Sequence, residues 1–81
     1  MNKVSVELKE KATQKKKVHD YYFAVKDAAI IFINSQLEAF EEQHGKVIHS
    51  VVLEDAQIFK ATETHEIVIK IEWSKLWKQV S

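Results

Sequence analysis

The first residues of the chain alternate between apolar and polar side chains. Val4, Val6 and Leu8 fall on one side of the segment 4–9, and polar residues occupy the positions between them. A period of two residues is typical of a strand with one buried face. We therefore predict a half-buried strand close to the start of the chain.

Two segments in the second half of the chain also favour strands. Residues 46–54 are rich in β-branched side chains, and residues 65–73 alternate regularly between large apolar and mainly polar positions. The stretch between them keeps some strand character at Ile58 and Phe59, but it has no glycine or proline to form a tight turn. We expect a hairpin with a loop of several residues near Lys60–Thr64.

A long helix is predicted between the first strand and this hairpin. Its apolar stripe, at a period of about 3.6 residues, contains Tyr22, Ala29, Ile30, Ile33, Leu37 and Phe40. Gly45, the only glycine in the chain, lies where a helix commonly ends. The start is open, because Asp20 and Asp27 are both suitable N-caps. Residues 18–25 are either the first turns of the helix or a short strand, and the unbroken phase of the stripe favours the helix.

The last eight residues, 74–81, begin with a serine that can cap a helix. Leu76, Trp77 and Val80 then follow at helical spacing, so we predict a short C-terminal helix. The element order becomes β-α-β-β followed by this helix. The whole chain, residues 1–81, is expected to be a single α+β domain in which one long helix packs on a small antiparallel sheet.

The predicted helix is apolar on a second side, where a surface helix usually carries charge. This side is formed by Tyr21, Ala24, Ala28, Ile31, Phe32, Ser35 and Ala39. A helix with two apolar sides is normally buried on both, and apolar patches of this kind usually mark contacts. The predicted terminal helix could cover the second side. We favour a second copy or another protein, which makes these residues our candidate interface.

A group of lysines lies near the start of the chain, at Lys9, Lys11, Lys15, Lys16 and Lys17. They could neutralise several phosphates and bind nucleic acid without reading its sequence. However, residues 27–72 hold three lysines and nine acidic residues, a formal charge of −6 that would repel a polyanion. The chain also lacks arginine, the residue best suited to guanine edges and phosphates. We expect a solvated loop that steers an acidic protein surface, and we do not expect nucleic acid to be the partner.

Residues suited to catalysis or metal binding are sparse. The chain has no cysteine, which excludes disulfides and thiolate metal sites. Among its four histidines only His49 and His65, on strands expected to pair, could share a metal. A chain with a single glycine cannot build a glycine-rich phosphate loop. We predict no catalytic residue, no metal and no cofactor, and hence a protein that is not an enzyme.

The longest apolar run, residues 28–33, is far shorter than the ~18 residues of a membrane span. The first ten residues lack the apolar core of a signal peptide. We therefore expect a cytoplasmic protein without a membrane partner.

The predicted β-α-β-β order resembles that of the dodecins, small oligomers that store flavin. The segment VIHSVV (47–52) lacks the tryptophan that dodecins place on that strand to stack the flavin, so the resemblance is one of topology alone and does not carry function. We expect a small interaction module that binds a protein partner and self-associates, as inhibitors or adaptors from phages and mobile elements do. The alternatives are a non-specific nucleic-acid-binding protein that uses the Lys9–Lys17 loop, and a small oligomer that stores a ligand.

Overall fold

Five strands and one helix are formed by residues 1–53 and 57–73, the part of the chain that the computed structural model describes. In chain order the elements are β1 (Asn2–Glu10), β2 (Lys16–Phe23), α1 (Lys26–His44), β3 (His49–Leu53), β4 (Gln57–Ala61) and β5 (His65–Glu72). The strands form one sheet in the order β2-β1-β5-β4-β3, and every neighbouring pair is antiparallel. The predicted α+β class is confirmed. The predicted β-α-β-β order is wrong, because a second strand precedes the helix and three strands follow it, which gives the order β-β-α-β-β-β. The predicted C-terminal helix falls outside the described residues.

The largest correction concerns residues 18–25, which are not the start of the helix. Residues 16–23 form β2, which pairs with β1 along its whole length, and the helix begins only at Lys26. Burial along β2 has a period of two, because Tyr21 and Phe23 pack against the core while Tyr22 between them is exposed. Tyr22 matched the helical stripe only by coincidence of phase. Pairing with β1, a contact between residues distant in sequence, decides the structure.

The lysine-rich segment is correspondingly shorter as a loop than predicted. Lys9 belongs to β1, while Lys16 and Lys17 belong to β2. The turn between the two strands is closed by the Glu10 N–H, which donates to the Lys15 carbonyl at 3.0 Å. Gln14 takes a positive φ of 61° there, and its side chain donates to the carbonyl of Lys11 at 2.9 Å.

A hairpin turn is present near residues 60–64, but it joins β5 to β4, and the prediction that the strand at 46–54 pairs with the strand at 65–73 is wrong because β4 lies between them. Its turn is held by Thr62, whose Oγ1 accepts the backbone N–H of His65 at 3.1 Å and whose own N–H donates to the His65 carbonyl at 2.9 Å. Thr62 is almost fully buried. The hydrogen bonds of the buried Thr62 therefore stabilise a turn that contains neither glycine nor proline.

The core lies between the helix and the three strands β2, β1 and β5. Its buried residues are Val4, Val6, Ala29, Ile33, Phe40, Ile67, Ile69 and Ile71. They come from alternate positions on β1 and β5 and from one stripe of the helix, as the two periodicities predict. Gly45 ends the helix at a φ of 96°, a conformation that favours glycine, and its N–H donates to the Glu41 carbonyl at 3.0 Å.

The helix is placed to one side of the sheet. It lies against β1, β2 and β5, so the same face of β4 and β3 has no helix above it among the described residues. None of the helices in the described part of the chain combines the length and the apolar character that crossing a bilayer requires.

We predict that Phe32 is important for stability because it packs against β2. Its ring centroid lies 4.5 Å from that of Tyr21 and 5.1 Å from that of Phe23. Phe32→Ala should lower the free energy of unfolding by about 2–4 kcal/mol, since it removes aromatic contacts and leaves a cavity. Urea denaturation at a fixed protein concentration measures the change.

The neighbouring Ile31 provides the control, because its side chain is 69% exposed. Ile31→Ala should change the free energy of unfolding by less than about 1 kcal/mol. Equal effects of the two substitutions would show that Phe32 does not hold the helix to β2.

Candidate interaction surface

Strand β3 is an open edge of the sheet. It pairs with β4 along residues 49–53, and no other described strand lies on its outer side. All five of its residues are exposed, including Val52 at 59% and Leu53 at 55%. An antiparallel strand at an edge directs every second pair of N–H and C=O groups away from its partner. Strand β3 therefore presents unpaired backbone groups next to exposed apolar side chains.

This edge is apolar on both faces of the sheet. On the face that carries the helix, Val52 pairs with Ile58, which in turn pairs with the core residue Ile69. On the opposite face, Val51 pairs with Phe59 and Phe59 with Val68. Val52 is exposed because the helix does not extend over β3, and Val51 because that face has no covering layer among the described residues. A chain added at this edge would find apolar contacts on both of its own faces.

The two edges of the sheet differ in chemistry. The outer edge of β2 carries Lys16, Lys17 and Asp20, charged side chains of the kind that proteins use to prevent pairing between edges. The sequence of β3 is HSVVL, with no lysine, acid or proline. We call residues 49–53 the β3 edge. It is the least protected pairing site in the described part of the chain.

A groove adjoins the β3 edge on the side of the sheet that carries the helix. It has a volume of about 300 Å³ and is lined by Lys26, Ile30, Ile33, Asn34, Ile58, Ile71 and Trp73. Lys26 Nζ lies 4.9 Å from the centroid of the Trp73 ring, within reach of a cation–π contact. The groove exists because the helix stops short of β4. Since Ile58 pairs with Val52, the groove and the β3 edge form one continuous surface.

The interface predicted on the second side of the helix is divided by the structure. Tyr21 belongs to β2, and Phe32 packs against it, so strand β2 of the same chain covers this part of the side. Ala24 precedes the helix, and Ala39 is half-buried. The residues of the predicted interface that stay exposed on the helix are Ala28, Ile31 and Ser35. Strand β2 thus covers the part of the second apolar side around Phe32, and the predicted interface stays a prediction for the residues that remain exposed.

The residues of the β3 edge are not among the candidates predicted from the sequence. Their signal was present in the uncharged, β-branched run that ends at Leu53. Such a run is equally typical of a central strand, which is covered on both sides. Only the strand order shows that this segment lies at an edge.

The five lysines near the start do not share one face. Lys9 and its pairing partner Lys16 point to the face without the helix, where Lys9 Nζ lies 3.9 Å from an oxygen of Glu66. Lys17 pairs with Leu8, a residue packed against the core, and so points to the opposite face. Lys15 and Lys17 line a cavity there together with Glu10. The positive charge surrounds the end of the hairpin and does not form a single track for a phosphate backbone.

The two histidines that could have shared a metal lie on opposite faces of the sheet. His49 pairs with Ala61 and Ala61 with Glu66, while His65 is the next residue of β5 and so points the other way. His65 instead stacks on His44 at the end of the helix, with ring centroids 3.7 Å apart. Among the described residues, no three histidine or carboxylate side chains are grouped to hold a metal ion.

The stacked pair His44 and His65 is surrounded by charged groups. Glu10 Oε2 lies 3.9 Å from His65 Nε2, and Glu63 and Lys11 line the same cavity of about 560 Å³. Burial and the proximity of His65 lower the pKa of His44 below the ordinary histidine value of about 6.5. The packed helix end therefore favours a neutral His44.

We predict that acid weakens the fold through His44. Because its pKa is lower in the folded state, the unfolded state binds more protons as the pH falls below about 6.5, and the free energy of unfolding decreases with it. Above that value both states are neutral at this residue and the effect disappears. His44→Gln should flatten the dependence of stability on pH between neutrality and pH 5, as measured by urea denaturation.

His19 is a suitable comparison, because it is exposed on β2. His19→Gln should leave the pH dependence of the wild type in place. A flattened profile in His19→Gln, together with an unchanged one in His44→Gln, would contradict the assignment.

We also predict that the lysines of the first hairpin contribute little to stability or to oligonucleotide binding. Replacing Lys15, Lys16 and Lys17 by glutamine should change the free energy of unfolding by less than about 1 kcal/mol, since all three are exposed. Fluorescence anisotropy at physiological salt should report weak binding of labelled DNA or RNA, hardly altered by the substitutions. Submicromolar binding that the triple change abolishes, and that Lys46→Gln with Lys70→Gln retains, would place the protein among nucleic-acid binders.

Compared with known proteins, the chain matches no family model, no curated protein and no solved structure.

Proposed function

We propose that the protein is a non-catalytic interaction module that binds protein through the β3 edge. The observation that carries this proposal is an edge strand without charge, apolar on both faces, with backbone groups directed outward. A strand of a partner would extend the sheet at this edge by antiparallel pairing, a common mode of protein recognition. The partner is either a host protein or a second copy of the chain.

Side-chain burial at the β3 edge would supply the affinity. Fully burying a valine or leucine side chain stabilises by about 1.5–3 kcal/mol, and Val51, Val52 and Leu53 are all exposed without a partner. Part of this gain is offset by the loss of translational and rotational freedom on association. The backbone hydrogen bonds of the added strand would fix its direction and register.

The groove beside Trp73 supports the same function. Its volume of about 300 Å³ lies at the lower end of the range for ligand cavities, about 300–1,000 Å³. Ile58, which lines the groove, pairs with Val52 on the β3 edge. A partner that pairs with β3 and also lies over the helix side of β4 would reach the groove, which would add specificity to the pairing.

We predict that a charge on the β3 edge abolishes binding. Val52→Lys places a lysine next to the centre of the edge, and a lysine on an edge strand is a device by which natural sheets prevent pairing. We add tagged wild-type protein to an extract of its native host, together with an untagged copy so that self-association is also detected. The tagged protein should retain a partner, which mass spectrometry identifies. Val52→Lys should lose that partner.

Val18→Lys is the matched control, because Val18 also lies on an edge strand and is 56% exposed, close to the 59% of Val52. It should retain the partner. Val18→Lys should unfold within about 0.5 kcal/mol of the wild type, as surface substitutions usually do, and Val52→Lys should still unfold in one cooperative transition, which shows that its fold is intact. Loss of the partner in both variants, or in neither, would rule out the β3 edge as the binding site.

A further inference from the structure

We infer that the β3 edge binds a second copy of the chain, so that two sheets join into one across a two-fold axis at Val51. This inference rests on the proposed function, since it names the partner of the same surface. It depends on the sequence of β3, on the position of the helix and on the charge of the chain.

The sequence of β3 is compatible with its own antiparallel copy. With the two-fold axis at Val51, this residue meets Val51 of the second copy, while His49 faces Leu53 and Ser50 faces Val52. No like charges oppose each other in this register, and all five residues of the strand are paired. Each pairing also joins residues on the same face of the sheet, because their numbers differ by zero, two or four.

The apolar surfaces of the two copies would then become continuous. On the face without the helix, the row formed by Val51, Phe59 and Val68 would extend across the axis into the same row of the second copy. On the other face, Val52 and Ile58 would meet Ser50 and Lys60 of the second copy, so the continuous apolar strip lies on the face without the helix. Side chains that are partly exposed in one copy would lie at the centre of an apolar strip that spans both copies.

The helix leaves room for this arrangement. A two-fold axis perpendicular to the sheet places both helices on the same face, and each helix lies against β1, β2 and β5 of its own copy. The strands β4 and β3 of both copies separate them, so the two helices do not collide. Among the described residues, none covers the outer side of β3.

The charges of the chain favour a second copy over a strongly charged partner. The formal net charge is zero at neutral pH, so two copies do not repel each other as highly charged chains do. The other pairing available within the sheet, β3 of one copy against β2 of another, would bring the apolar edge against Lys16 and Lys17. That pairing would cover β3 with charged side chains, and is disfavoured for that reason.

The experiment measures mass by light scattering coupled to gel filtration, at micromolar concentrations of the full chain. The wild type and Val18→Lys should have twice the chain mass of 9.4 kDa, and Val52→Lys should have the mass of a single chain. A single-chain mass for the wild type would overturn the inference. The proposed function would survive that result if Val52→Lys, but not Val18→Lys, lost a host protein in the capture experiment.

The register is tested by cross-linking, because the natural chain has no cysteine and one introduced thiol gives one product. Val51→Cys should form a disulfide-linked dimer under mild oxidation, since the two-fold axis brings position 51 opposite itself within disulfide reach. Val18→Cys should form it at least about tenfold more slowly, because its contacts are limited to random collision. Equal rates of disulfide formation in Val51→Cys and Val18→Cys would overturn the arrangement at β3. So would light scattering that shows the dimer dissociated to the same extent in Val52→Lys and in Val18→Lys.

Discussion

The described part of the structure depends on a mismatch in width between its single helix and its sheet of five strands. A helix with its side chains is about 10–12 Å across, while five strands spaced by about 4.8 Å span roughly 19 Å. One helix can therefore cover the faces of about three strands. It lies on β2, β1 and β5, and the buried core is confined to this part of the sheet.

The same mismatch decides the chemistry of the two uncovered strands. Strand β4 still has a neighbour on each side, and its residues are partly buried. Strand β3 has one neighbour and no helix above it among the described residues, so its apolar side chains remain in solvent. An edge strand of this kind is usually protected either by charged side chains or by another segment that covers it. The composition of β3 is consistent with the second solution.

Much of this fold can be predicted from local patterns in the sequence. The features that cannot be predicted depend on pairing between residues that are distant in the sequence. The alternation of Val4, Val6 and Leu8 identified β1, and the alternation after His65 identified β5, because a period of two residues is a local property. Strand β2 was assigned to the helix, since aromatic residues at 21–23 suit both periods and only pairing with β1 distinguishes them. The β3 edge was missed for the same reason, as being at an edge is a property of strand order. The separation of His49 and His65 likewise required the register of three strands.

The unequal edges of the sheet set a limit on how far any assembly can grow. Lys16, Lys17 and Asp20 place charges on the first five residues of the β2 edge, so an assembly that pairs through β3 would present these charged strands at its outer edges. Addition of further copies would stop at that point, and sheet pairing would produce a closed species of defined size. A chain of the same fold with two apolar edges would instead polymerise into a fibre. If two copies pair through β3, Lys16 and Lys17 would then keep further copies from joining the sheet.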